Sequence, residues 1–442
     1  MASLIILFIP LMILMFASLH EFKYLLSPSF AFIVGFVLQV FFCFFYTEEW
    51  SINLSSKTVG IILLGCFTFF ITSWMLENSR VRIVVGKKSL RSGYEQDDHE
   101  VLPFEIEKWK LTFFIILQLL TLVGYILFMN SNMIGGNLAA KIYYYRSQTA
   151  DYGKVISIPR YLSFFRLVSS AIGYCLAYVL AYNMINKFNK NNLLVFINLV
   201  LSLFLEGILG ARGGMFNFIV AFFGAYFLLG NKYNRINISF KLLVRILIIG
   251  IAIIALLPIL GNALGRPSIK GAAYDTAMYF SGSLINLDTF VRTTTNIKFP
   301  HISVFYGLLT DLSGIISKEF ITSQKIPTRW NYINGNSLGN VYTAFSSYWY
   351  DMGWFGVILY SMLSAIIMHS IAKTAQRKTY RKNQLSISMI LYSYFIPCIL
   401  FSFFANRFYA QLFSLFFLKL IVAIFAVKIF IERFSFFSKS NG

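Results

Sequence analysis

The sequence predicts an all-α polytopic membrane protein, and three observations carry that fold class. Hydrophobic residues make up 57% of the 442 and charged residues only 13%, about half the charged share of soluble domains. The mean hydropathy is +0.68. The apolar runs reach about 20 residues, the length a helix needs to cross a hydrocarbon core. Helices, unlike open strands, satisfy every backbone group within one segment there. The 48 Phe and 26 Tyr lift the aromatic share to 18%. A soluble fold could not bury that much apolar surface. The same composition excludes a disordered chain and a secreted disulfide scaffold.

Eleven spans can be drawn along the chain: Leu4–Leu19, Ser29–Tyr46, Thr58–Leu76, Leu111–Met129, Tyr161–Ile185, Leu193–Leu209, Gly214–Leu229, Leu243–Leu260, Asp351–Ile371, Leu385–Phe404 and Phe408–Ile431. The first lacks a basic leader and a small-residue cleavage site, so it reads as a retained span rather than a signal peptide. Cys43, Cys66, Cys175 and Cys398 all fall inside apolar runs, and no CxxC occurs. The whole chain, 1–442, reads as one membrane-embedded domain. Two long connections interrupt it, 130–160 and 261–350. The second has 90 residues, enough for short helices of its own.

The net charge of +20 invites a nucleic-acid reading, but the basic residues sit in loops between apolar spans. That placement points to lipid headgroups and to topology, not to nucleic acid. With the charged 77–110 connection in the cytoplasm, the cytoplasmic side holds 22 Lys and Arg and the outer side 14. The N-terminus is then external and the C-terminus cytoplasmic. The two long external connections still carry eleven Lys and Arg against five acids. The positive-inside rule gives no reason for that excess. An anionic substrate held at the outer face would.

The clearest local feature is Gly210-Ala211-Arg212-Gly213-Gly214, between the sixth and seventh spans. The link is so short that Arg212 must sit at the membrane surface, facing the N-terminus of the next helix. Such a terminus offers unpaired N–H groups and partial positive charge. Gly213 and Gly214 let a ligand approach the backbone, and arginine adds a planar fork that grips phosphate. The plain alternative is an arginine snorkelling to headgroups beside a tight turn. Arg407 sits in a similar short turn and could equally be an interfacial anchor. Arg266 lies just outside the eighth span, and Arg146 follows three tyrosines in the first long connection. Glu206 lies one turn inside the sixth span, on the approach to Arg212. An intramembrane acid invites a functional reading, though the two could simply neutralise each other. Asp275 and Asp288 are further candidate acids or bases. Asp351 could bind substrate or cap a helix N-terminus. The sequence has no P-loop, no HExxH motif and only four scattered His. It therefore gives no reason to expect a metal or a cofactor.

Taken together, these features resemble the Wzy-type oligosaccharide repeat-unit polymerases that build O-antigen and capsule. Gly210–Gly214 is similar to that family's Gly/Ser-x-Arg-Gly segment. Gly339-Asn340-Val341-Tyr342-Thr343, leading to Tyr350-Asp351-Met352-Gly353-Trp354-Phe355-Gly356, is similar to its Thr-rich stretch before a span. The resemblance implies a GT-C-like architecture in the bacterial inner membrane. It implies a substrate of undecaprenyl-pyrophosphate-linked oligosaccharide at the outer leaflet, and a polysaccharide chain-length regulator as a possible partner. Arginines bind the pyrophosphates in that family, a role that would fall to Arg212, Arg407 and Arg146, and less clearly to Arg266. An acceptor hydroxyl would attack the donor's anomeric carbon, with Asp275, Asp288 or Glu206 as base. Two other readings stay open: an O-antigen ligase-like transferase, and a flippase for the same lipid-linked sugar. A cation-lined path within the spans would favour the flippase, and only Arg166 and Lys419 lie there.

Overall fold

The computed structural model describes residues 1–78, 103–151, 156–186, 191–210, 212–236, 270–294, 300–377 and 383–434, with a few positions between 236 and 270. The described residues are mostly helical. Six of the described helices are long and apolar enough to cross a membrane: Ala2–Phe22 (α1), Ser56–Asn78 (α3), Lys108–Asn132 (α4), Arg160–Asn186 (α6), Arg212–Lys232 (α8) and Ala344–Arg377 (α12). Shorter apolar helices fill the bundle between them: Pro28–Phe44 (α2), Asn192–Gly207 (α7) and Ile387–Leu400 (α13). The expected span Leu243–Leu260 lies outside the described residues.

Helix starts follow local chemistry. The Ser27 hydroxyl accepts from the Phe30 N–H at 3.3 Å and Pro28 takes the first helical position of α2, where its missing N–H costs nothing. Close helix contacts fall at glycines. A methyl group on Gly35 would lie 2.5 Å from the Leu400 carbonyl oxygen, so α2 and α13 touch backbone to backbone. Rings fill the centre, with Phe32 stacked on Phe69 at 4.3 Å and Phe36 on Phe345 at 5.0 Å.

Contacts among the connections give the bundle two distinct ends, as where the Ser3 hydroxyl accepts from the Leu54 N–H and the Asn334 amide donates to the Glu49 carbonyl. One carries the N-terminus and every long described connection. The first of these, after α4, holds α5 (Leu138–Arg146) and a π-helical turn, Ser147–Asp151. The second holds a 22-residue helix, α9 (Ala272–Thr293), two short ones, α10 (Tyr306–Asp311) and α11 (Lys318–Ser323), and a hairpin of β1 (Asn331–Ile333) and β2 (Asn336–Gly339). The Asn334-Gly335 turn, both residues at positive φ, closes that hairpin. α9 is embedded rather than peripheral. The Gln39 side-chain amide on α2 donates to Ser283 Oγ at 2.7 Å and to the Phe403 carbonyl at 2.9 Å, tying α9 and the 401–403 turn to the bundle.

α12 starts at Ala344 but is interrupted at Met352-Gly353, neither residue being helical and Gly353 having φ 58°, so its second, apolar part begins within three residues of Asp351, where the sequence predicts the ninth span. One expected span differs from the structure. The last is not one helix from Phe408. It is α14 (Arg407–Leu412) followed by α15 (Leu415–Arg433). Ser414 Oγ accepts from the Phe417 N–H at 3.1 Å and Asp311 from the Leu415 N–H at 2.9 Å, so α15 has its own capped start.

Candidate functional site

The link between α7 and α8 lies at the end of the bundle that carries the long connections. α7 stops at Gly207, and the Gly210 N–H returns to the Gly207 carbonyl at 2.8 Å. Gly210 has φ +74°, a left-handed conformation that an L side chain adopts only with strain. The turn is therefore written into the glycine. α8 starts at Arg212. The side chain of Arg212, and all of Ala211, lie outside the described residues.

Three elements crowd this turn, and the glycines record where. A methyl on Gly210 would meet Arg146 Cδ at 3.3 Å and Ile142 Cγ2 at 3.2 Å, so the end of α5 packs on the turn. A methyl on Gly213 would lie 3.4 Å from the Arg407 guanidinium. One on Gly214 would lie 3.1 Å from both Cβ and Oε2 of Glu206. The turn thus gathers Arg146, Arg407 and Glu206, which are far apart in sequence.

Arg407 opens α14 in a half-buried position. Its guanidinium carbon lies 5.8 Å from the centre of the Phe404 ring, and it forms no ion pair among the described residues. Its turn is tied down by the Asn406 amide, which donates to the Val304 carbonyl at 3.2 Å. Val304 in turn donates its N–H to Asp351 at 3.0 Å. The Asn406 amide and the Asp351 carboxylate thus hold the turn that carries this arginine through one residue, Val304.

Glu206 has a partner that sequence reasoning missed. Arg166 Nη1 lies 3.2 Å from Glu206 Oε2, with the two side chains 25% and 16% exposed. Ser170 Oγ also donates to the Glu206 carboxylate. The signal was present: opposite charges one to two turns inside the same ends of consecutive spans. Arg166 also lies near Tyr145, whose phenol burial pushes up while the guanidinium pulls it back.

The remaining candidates sit elsewhere. Asp288 accepts from the Ser55 N–H and hydroxyl, each at 2.8 Å, and from Arg292 Nε at 2.7 Å, bracing the start of α3. Asp351 is fully buried and accepts from the Ser303 and Val304 N–H groups. Asp275 lies in the first turn of α9, beside Tyr274, whose ring packs edge-on against Trp50. Among the described residues no hydrogen bond or ion pair joins these three aspartates to the arginines at the turn. Arg266 lies outside the described residues.

A cavity of about 700 Å³ opens between α6, α7 and α8, lined almost wholly by apolar side chains such as Leu180, Phe196, Leu203, Phe218 and Phe222. The lining runs from Met184, Asn192 and Leu193, at the far end of these helices, to Leu203 and Phe218, which stop one helical turn short of Glu206 and Gly214. Such an arrangement can hold an anion next to a long apolar tail. Comparison with known protein families, curated proteins and solved structures returned no match.

Proposed function

We propose that this chain polymerises undecaprenyl-pyrophosphate-linked oligosaccharide repeat units into O-antigen or capsular polysaccharide, at the outer face of the inner membrane. In this reading it has about eleven spans, with the turn-bearing end external, and it is a GT-C-like, metal-independent glycosyltransferase. An acceptor hydroxyl attacks the anomeric carbon of the donor's first sugar, and the lipid pyrophosphate leaves. The observation that carries the reading is the convergence of Arg146 and Arg407 on the Gly210–Gly214 turn, one helical turn beyond the end of an apolar slot. The slot suits a polyprenyl chain and the arginines suit its pyrophosphate. Leaving-group charge develops in the transition state, and fixed donors in a water-poor site stabilise it most. Arg212, at the head of α8, is the third arginine of the set. The flippase reading would need a cation-lined path within the spans, where only Arg166 and Lys419 lie, and the pairing of Arg166 with Glu206 weighs further against it. The ligase-like transferase would share the lipid donor and differ in its acceptor.

The test is a glycan gel of a deletion strain complemented with variants. Arg407→Ala and Arg212→Ala, at normal membrane levels, should leave single repeats on the lipid, because loss of one such donor typically costs about 10²–10³ in rate. Arg212→Lys should recover little, since a point charge lacks the two-pronged geometry. A full ladder from both alanine variants would sink the reading. Loss of all surface polymer in the deletion strain would favour the flippase or the ligase.

A further inference from the structure

We propose that Glu206 is a positioning residue, not the acceptor's base: it clamps the first turn of α8, and its ion pair withholds Arg166 from the anion. The inference rests on the anion reading above for its binding arm, and on packing alone for its structural arm. Both carboxylate oxygens are engaged, Oε2 by Arg166 at 3.2 Å and Oε1 by Ser170. Arg166 and Ser170 stand one turn apart on α6, and the Ser170 hydroxyl also reaches the Arg166 carbonyl at 3.0 Å. On its other side the carboxylate meets Gly214, where a methyl would lie 3.1 Å from Oε2. A general base needs a free lone pair within reach of the hydroxyl it activates; here Arg166 and Ser170 occupy one site on each oxygen, and the side chain is only 16% exposed among three helices. A carboxylate against the first turn of a helix is also well placed to stabilise it.

The packing beneath makes the clamp stiff. A methyl on Gly173 would come within 2.8 Å of Ser202 Cβ, and one on Gly207 within 2.7 Å of Met215 Sδ. α6, α7 and α8 therefore meet at close range just below the turn. Charge divides the turn into two flanks. Residues 213 and 214 point about 100° apart around a helix. The Gly214 flank carries the neutralised Arg166–Glu206 pair. The Gly213 flank carries Arg407, with no ion pair among the described residues. An anion at the turn belongs on the Arg407 side.

The experiment uses the full chain purified in detergent, with two readouts. Hydrogen exchange over residues 207–216 should speed up in Glu206→Gln and in Arg166→Ala, and stay unchanged in Arg407→Ala. Calorimetry with inorganic pyrophosphate as probe should show about tenfold weaker binding for Arg407→Ala, the worth of one charge-assisted contact. Glu206→Gln should bind more tightly than the parent, because Arg166 is released. Arg166→Ala should bind more weakly, because it leaves the carboxylate uncompensated. The double variant Arg166→Ala/Glu206→Gln should return to near the parent value. A double variant as weak as Arg166→Ala alone would make Arg166 a direct ligand and overturn the proposal. So would unchanged exchange in Glu206→Gln together with loss of turnover, the signature of a base. If Arg407→Ala leaves pyrophosphate binding unaltered, the anion reading fails, and the exchange data still decide the clamp.

Discussion

The Asp351 carboxylate is fully buried and accepts from two backbone N–H groups at 2.7 and 3.0 Å, from the Ser303 hydroxyl and from the Tyr360 hydroxyl at 3.4 Å. It holds the 303–305 turn to α12, and through Val304 it supports the Arg407 turn. Hydrogen bonds to a charged group are worth about 1.5–3 kcal/mol each when a partner is removed. Asp351→Asn puts an amide donor where two donors already point. It should cost about 2–3 kcal/mol, read as a lower thermal midpoint and faster proteolysis at 301–311. A variant as stable as the parent but unable to extend the polymer would return Asp351 to the substrate. Asp288 and Asp311 also spend their oxygens on backbone N–H groups of other elements. The sequence offers a helix-capping role for Asp351 and shows Asp288 and Asp311 only as acids in a polar connection. Which helix start each one meets is set by contacts 48, 233 and 104 residues away in the chain, so their use was not legible from local pattern.

Among the elements, the α7–α8 link was the most legible, because its signal is local. Two glycines bracketing an arginine between apolar runs already specify a tight surface turn. Gly210 bears the strain. Gly210→Ala puts a methyl at φ +74°, 3.3 Å from Arg146 Cδ, and the left-handed backbone alone costs about 1–2 kcal/mol. The protein should be less stable by that amount, with the Arg146 contact displaced, and under the proposed function should lose polymer. Gly136→Ala is the control, since a methyl there meets nothing within 4 Å. Equal melting of the two variants would mean that the turn relaxes freely and does not place Arg146. α9 shows the converse. Its sequence mixes Ser, Asn, Asp, Thr and Gly with apolar residues, so a search for long apolar runs passes over it. Its burial comes from α2 and the 401–403 turn, which only the folded bundle supplies. The break before α15 had a readable cap in Ser414, hidden inside a mostly apolar run.

At the scale of the molecule, the strongest relation is between the ends of the bundle and the charges they carry. The glycine turn, Arg146, Arg407 and both long connections lie at the end that also holds the N-terminus. The opposite end holds lysines tied to carbonyls, Lys110 to Ile431 at 2.7 Å and Lys373 to Leu76 at 2.8 Å. Lys and Arg close to span ends set orientation, and long translocated segments obey that rule weakly. The cations near the spans at the opposite end should therefore decide that it faces the cytoplasm. The eleven cations in the long connections then stand outside for a reason other than topology. Alkaline phosphatase fused after Thr149 or Lys318 should be active, and fused after Arg91 or Lys382 inactive. The reverse pattern would put the arginine-flanked turn in the cytoplasm. A turn there would face substrates that have not crossed the membrane, and polymerisation of repeat units at the outer leaflet would be impossible for this chain.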